Sequence, residues 1–177
     1  MAGGRNSEGV VTAVKTVLSA GTGGLDDMMG TVDAEYNDDI TLETVAEYLE
    51  AHPAEMDEWP TVVIVAPDTD IPGRTGHYGE HWHTVRVWFL TLSRFEDEGS
   101  LNPQENLTRR INRSLEAIQR VLEANPRLTI DGTDYADRLF VRHVTRPDFI
   151  DKQGTEDDED WMTGYGYMDV EVQTTLN

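Results

Sequence analysis

The spacing of apolar residues predicts two helices in the first fifty positions of the chain. Apolar side chains recur every three or four residues, first over Ser7–Ala20, where Ser7 is placed to act as the N-cap, and again from Thr41 to about Ala51. Residues 21–40 lie between these segments, begin with a glycine-rich stretch and are predicted to form a long loop. The apolar stripes are Val10, Val14, Val17 and Leu18, followed by Leu42, Val45, Ala46 and Leu49.

Two apolar segments in the middle of the chain predict strands. Thr61–Ala66 is an almost unbroken apolar run, which is typical of a strand covered on both faces. His83–Leu92 carries largely apolar residues on both of its alternating faces, so we expect a central strand packed under helices. Residues 67–82 hold prolines, glycines and aspartates and are predicted to form a second long loop.

The strongest helical pattern runs from Pro103 to Ala124. Asn102 is placed to cap this helix, Pro103 occupies the first helical position, and Glu105 completes a capping box. One apolar stripe follows the spacing of three and four residues through the whole segment. Its members are Leu107, Ile111, Leu115, Ile118 and Leu122.

The remainder of the chain predicts a hairpin and two strands. Asp131-Gly132 has the composition of a tight hairpin turn. A strand is expected over Arg138–Thr145, then a long acidic loop over residues 148–164, then a last strand from Tyr165. That last strand alternates, with Met168, Val170 and Val172 inward and Asp169, Glu171 and Gln173 outward.

These elements predict one α+β domain over residues 1–177. The strands outnumber the crossover helices that a doubly wound sheet would need. We therefore expect a small, mostly antiparallel (mixed) sheet of about four main strands, with helices packed on one face and a small hairpin beside it.

Charge is the strongest compositional signal. Asp and Glu number 34 against 14 Lys and Arg, the formal net charge is -20, and only Lys15 and Lys152 are lysines. Molar salt shortens the Debye length to about 3 Å and screens such self-repulsion. The composition therefore favours a protein of a halophile. The alternative is an acidic protein of an ordinary cell that mimics DNA or binds a basic partner. Neither reading favours nucleic-acid binding, and no apolar stretch is long enough to predict a membrane span.

Few residues suggest chemistry. Cysteine is absent, and no nucleophile elbow, phosphate-binding loop or dinucleotide fingerprint occurs. His81 and His83 would share one face of a strand and, with His77, could ligate a metal ion in a metal-dependent enzyme. We favour structural or interface histidines, and expect no cofactor and no catalytic residue.

Three arginines share a face of the predicted helix over Pro103–Ala124. Arg109 and Arg120 each follow a glutamate by four residues, an arrangement that supports a helix by itself. The alternative is that Arg109, Arg113 and Arg120 dock on an acidic neighbour or a phosphate.

The order of these elements resembles that of the tail terminator (tail completion) proteins of tailed viruses. The quoted segments are Trp59-Pro-Thr-Val-Val-Ile-Val65, His83-Thr-Val-Arg-Val-Trp-Phe-Leu-Thr-Leu92, Leu115-Glu-Ala-Ile-Gln-Arg-Val-Leu122 and Tyr165-Gly-Tyr-Met-Asp-Val-Glu-Val172. The resemblance covers residues 7–177 by element order and rests on no invariant motif. The acidic composition would suit a virus of a haloarchaeal host.

The resemblance implies a structural virion protein rather than an enzyme. Its subunits would assemble in the host cytoplasm into a ring, expected to be a hexamer, at the head–tail junction. The ring would cap the tail tube, contact the tail tube protein and the neck or connector protein, and let viral DNA pass without specific binding. Another neck or tail component, such as a head-completion or tail tube protein, remains the alternative. The expected interface residues are Trp82, Trp161, Tyr165, Tyr167, Arg109, Arg113 and Arg120.

Overall fold

The computed structural model describes residues 6–50, 58–66, 80–94, 103–152 and 161–175. Three helices and eight strands lie within these ranges. They are α1 Ser7–Leu18, α2 Leu25–Tyr36, β1 Glu47–Leu49, β2 Thr61–Val65, β3 Glu80–Arg94, α3 Pro103–Ala124, β4 Thr129–Ile130, β5 Thr133–Asp134, β6 Arg138–Val144, β7 Asp148–Lys152 and β8 Trp161–Thr175.

Six of the strands form one mixed sheet. The order is β1-β2-β3-β8-β6, and β7 also pairs with β8. Only β1 and β2 are parallel, and every other pair in this sheet is antiparallel. Strands β4 and β5 form a separate hairpin, whose turn residues Asp131 and Gly132 both have positive φ, as a tight hairpin turn requires. The α+β class and the hairpin are thereby confirmed.

The three helices bury their apolar stripes against one face of the sheet, here named the inner face. All five predicted stripe residues of α3 are at most 1% exposed. They share one core cluster with side chains of α1, α2 and the sheet. The sheet contributes Val62, Ile64, Val85, Val87, Phe89, Leu139, Met168, Val170 and Val172.

Two glycines of β8 let α3 approach the sheet closely. A Cβ added at Gly164 would lie 2.6 Å from Cδ1 of Ile111. At Gly166 it would lie 2.8 Å from Cδ1 of Leu115 and 2.9 Å from Cγ2 of Ile111. Because the helix occupies that space, both positions require a residue without a side chain.

The predicted loop over residues 21–40 is wrong, because α2 occupies most of it. Leu25, Met29 and Val32 follow helical spacing and are buried against the core. The stripe is easily missed, because the helix begins directly after the glycine-rich stretch and is rich in acidic residues. The N-cap of α1 also differs from the prediction: the side chain of Asn6, not Ser7, accepts the Gly9 amide at 2.8 Å.

The predicted helix from Thr41 to Ala51 is also wrong. Carboxylates of α2 accept the backbone amides of this segment: Asp33 that of Leu42 at 2.7 Å, and Asp26 that of Val45 at 2.9 Å. The segment is then extended, and Glu47–Leu49 pairs in parallel with Thr61–Val63. Tertiary hydrogen bonds therefore override the helical spacing of the apolar residues. Residue 51 lies outside the described residues.

The other predicted elements form with revised bounds. α3 has the predicted bounds, and Asn102, its predicted cap, lies outside the described residues. β3 begins at Glu80, so residues 80–82 of the predicted 67–82 loop are strand and the rest is not described. The predicted loop over 148–164 is wrong at both ends, because β7 and the start of β8 pair there. The sheet therefore has six strands instead of about four, because β1 and β7 join it.

Candidate interaction surface

The sheet face opposite the helices carries five large aromatic residues on β3, β8 and β6. Alternation along the strands fixes their side, since their chain neighbours point into the core. We name this set the aromatic face. It consists of Trp82, Trp88, Phe140, Tyr165 and Tyr167.

The rings of the aromatic face touch one another across the strands. The Trp88 ring centroid is 4.5 Å from that of Tyr167 and 5.8 Å from that of Tyr165. Trp82 on β3 stacks on Phe140 on β6 at 6.1 Å. Contacts of this kind fix aromatic side chains in one arrangement, so the face is ordered before any partner binds.

An ion pair lies within the aromatic face. The guanidinium group of Arg86 donates to both carboxylate oxygens of Asp169, at 2.7 and 3.0 Å. Its central carbon lies 4.2 Å from the Tyr167 ring centroid, in cation–π contact. The hydrogen bonds to Asp169 raise the pKa of Arg86. The arginine therefore remains charged and holds the Tyr167 ring in place.

Hydrogen bonding at the aromatic face is incomplete. The Tyr165 hydroxyl donates to Oδ2 of Asp148 at 3.0 Å, and this bond to a carboxylate raises the pKa of Tyr165. The indole N–H of Trp88 is buried and has no acceptor among the described residues. A buried donor left without an acceptor costs roughly 1–3 kcal/mol. Trp88 therefore reduces the stability of this surface unless something else supplies an acceptor.

The aromatic face is open at one end only. At the β2 end of the same face, Thr61 is fully buried and Val63 is 1% exposed. Trp82, Trp88 and the two tyrosines are half-buried, and Phe140 on β6 is 41% exposed. Exposure therefore rises from the centre of the sheet toward β6, where a partner could reach the aromatic rings.

Of the seven predicted interface residues, three lie on the aromatic face. Trp82, Tyr165 and Tyr167 are brought together there, and Trp161 is the first residue of β8, where it pairs with Arg94. Trp88, the central ring of the cluster, was not among the predicted interface residues. The reason is that both faces of β3 were expected to lie under helices, whereas only the inner face does. The interface role of these residues stays a prediction.

The three predicted arginines of α3 are engaged within the chain. Arg109 bonds Glu105 at 2.5 Å and Arg120 bonds Glu116 at 2.6 Å, which confirms both predicted pairs. Arg120 also bonds Glu35 of α2 at 2.8 Å, which lowers the pKa of Glu35.

Arg113 is buried, with a side chain only 6% exposed. It forms a two-pronged ion pair with Asp38 and lies 4.1 Å from the Tyr36 ring centroid. This pair lowers the pKa of Asp38 to about 2. Arg113 therefore attaches the end of α2 to α3 and offers little surface to a partner.

The candidate metal-ligating histidines do not come together as predicted. His77 lies outside the described residues, and His81 is exposed. The two ring nitrogens of His83 lie 3.1 Å from Oγ of Ser7 and 3.0 Å from Oγ1 of Thr174. His83 therefore links the start of α1 to the sheet. Within the described ranges, no three His, Asp or Glu side chains are grouped to hold a metal ion.

Comparisons with known proteins leave the function to be argued from the structure. Neither protein-family models nor curated proteins give a match to this sequence. None of the helices in the described part of the chain is both long and apolar enough to cross a membrane.

Proposed function

We propose that this chain is a structural virion protein of a tailed virus, a tail terminator whose subunits form a ring at the head–tail junction. The observation that carries the proposal is the ordered, partly exposed aromatic face opposite the helices. In this proposal, subunit contacts perform the function and no reaction is catalysed. The ring caps the tail tube and joins it to the connector of the capsid.

The aromatic face has the composition of a protein–protein interface. Interface centres are enriched in Trp, Tyr, Phe and Arg, and a few such residues supply most of the binding energy. The face combines two tryptophans, two tyrosines, a phenylalanine and Arg86 on three adjacent strands. Because these rings are already held by one another, binding costs them little conformational entropy.

The element order favours a tail terminator among interaction proteins. The strands over Thr61–Val65, Glu80–Arg94 and Trp161–Thr175 and the helix over Pro103–Ala124 carry the four segments on which the resemblance rests. The strongly negative charge suits a channel for DNA, because like charge keeps the duplex from binding the wall. The same charge with only two lysines favours a virus of an extreme halophile.

A virus carrying an early stop codon in this gene tests the proposal. Loss of a tail terminator should leave DNA-filled heads without tails, together with free tail tubes of irregular length, in electron micrographs. Loss of a tail tube protein would instead remove the tubes, and loss of a head-completion protein would leave tubes of normal length. Normal virions, or a metabolic defect without an assembly defect, would contradict the proposal.

A further inference from the structure

The strand β6 and the residues after it are the basic part of an acidic chain. Between Asp137 and Asp148, ten consecutive residues carry no carboxylate and include Arg138, Arg142 and Arg146. The whole chain has only 14 Lys and Arg against 34 Asp and Glu. We name Arg138–Val144 together with Arg146 the basic edge.

Two arginines of the basic edge lack the ion pairs that the other described basic side chains form. Arg142 bonds Glu171 at 2.7 Å, and Lys15 and the described arginines elsewhere also pair with carboxylates. Arg138 and Arg146 are exposed and contact no carboxylate among the described residues. Unpaired cations in a chain of charge -20 leave a local positive charge available to an acidic partner.

The basic edge also offers a backbone and an apolar surface. β6 is the last strand of the sheet order, so one of its sides is paired with β8 and the other with no strand of the described part. Phe140 is 41% and Val144 43% exposed, and they are two of the three large apolar residues most exposed in the described ranges. Charged side chains often protect an edge strand from pairing. Here they flank exposed apolar residues, as the rim of an interface does.

We propose that the basic edge binds an acidic surface of a second copy of this chain. A copy is a suitable partner because its own surface carries the large excess of carboxylates. Two basic edges cannot pair with each other favourably, since their arginines would face one another. The contact therefore joins different surfaces of the two copies, and a contact of this kind closes into a ring when its rotation allows. This inference rests on the proposed ring and names one side of its subunit contact.

Charge reversal at the basic edge tests this inference on the full chain. The variant Arg138→Glu/Arg146→Glu leaves Arg142 and its bond to Glu171 in place. The matched controls are Arg127→Glu, on the exposed hairpin side of the chain, and wild type. Sedimentation velocity over a concentration series, in the salt that keeps the protein folded, gives the subunit dissociation constant. We expect the double variant to raise it at least about tenfold and Arg127→Glu to change it less than about threefold.

The outcomes separate this inference from the proposed function. An oligomeric wild type with an equally oligomeric double variant overturns the basic edge as the contact and leaves the ring intact. Equal losses in the double variant and Arg127→Glu also overturn it, since the effect is then one of net charge. A wild type that is monomeric at every concentration contradicts both proposals.

Two further measurements cover unfolding of the variant and a nucleic-acid partner. Hydrogen–deuterium exchange of wild type should slow across β6 as concentration brings subunits together, and unchanged exchange there would overturn the inference without any variant. Fluorescence anisotropy with a labelled DNA duplex should show no binding that depends on Arg138 and Arg146. Such binding would overturn the inference in favour of a phosphate backbone as the partner.

Discussion

The close approach of α3 to β8 makes a single methyl group at Gly166 costly. In Gly166→Ala the new Cβ would lie 2.8 Å from Cδ1 of Leu115 and 2.9 Å from Cγ2 of Ile111. Leu115 is 1% and Ile111 0% exposed, so neither side chain can move into solvent. Either α3 shifts away from the sheet or both side chains leave their preferred rotamers. Overpacking of this kind costs about 1–3 kcal/mol of unfolding free energy.

Gly30→Ala is the matched control for the same chemical change. Gly30 lies exposed in the interior of α2, and a Cβ added there meets nothing within 4 Å. Replacing a helical glycine by alanine should therefore stabilise the protein, by roughly 0.5–1 kcal/mol. Equilibrium denaturant unfolding in molar salt measures both variants. If Gly166→Ala is as stable as wild type or Gly30→Ala, the inferred packing of α3 on β8 is wrong.

Three further predictions concern salt, acid and metal. Circular dichroism across a salt series should show folding or assembly that requires molar salt, and an unchanged protein in dilute buffer would contradict the halophilic reading. The pKa of Asp38 is lowered from 3.8 to about 2 by Arg113, so its contribution to stability is complete above pH 3.8 and is lost as the pH falls toward 2. Asp38→Asn should therefore flatten the pH dependence of thermal unfolding in that window more than the neighbouring Asp39→Asn does, and equal profiles would refute the role of this pair. Elemental analysis should find no stoichiometric zinc, whereas one zinc per chain that is lost in His81→Ala would revive the metal-enzyme reading.

The sequence predicted the elements that are stabilised by their own periodicity. The helix over Pro103–Ala124 and the strand over Thr61–Val65 have apolar patterns that no neighbour has to correct, and both form with their predicted character. The segment over Thr41–Ala51 has an equally helical pattern but is held extended by carboxylates of Asp26 and Asp33. Those bonds come from a helix that the sequence reading had treated as a loop, so one missed element produced two errors.

The candidate surface was predictable only in part, because burial of a strand face depends on what packs there. Alternation placed Trp82 and Trp88 on one side of β3, but it could not tell whether helices cover both sides. The pairing of β3 with β8 and of β8 with β6 then brings Tyr167 and Phe140 to the same face. These contacts join residues more than fifty positions apart, and no local pattern in the sequence specifies them.

The molar mass of the protein in solution tests the ring most directly. Size-exclusion chromatography with light scattering in molar salt should give a discrete species of about six times the 19.9 kDa of one chain. Electron micrographs of that species should show closed rings with a central channel. A protein that stays at the mass of one chain at all concentrations, with or without salt, would contradict the account.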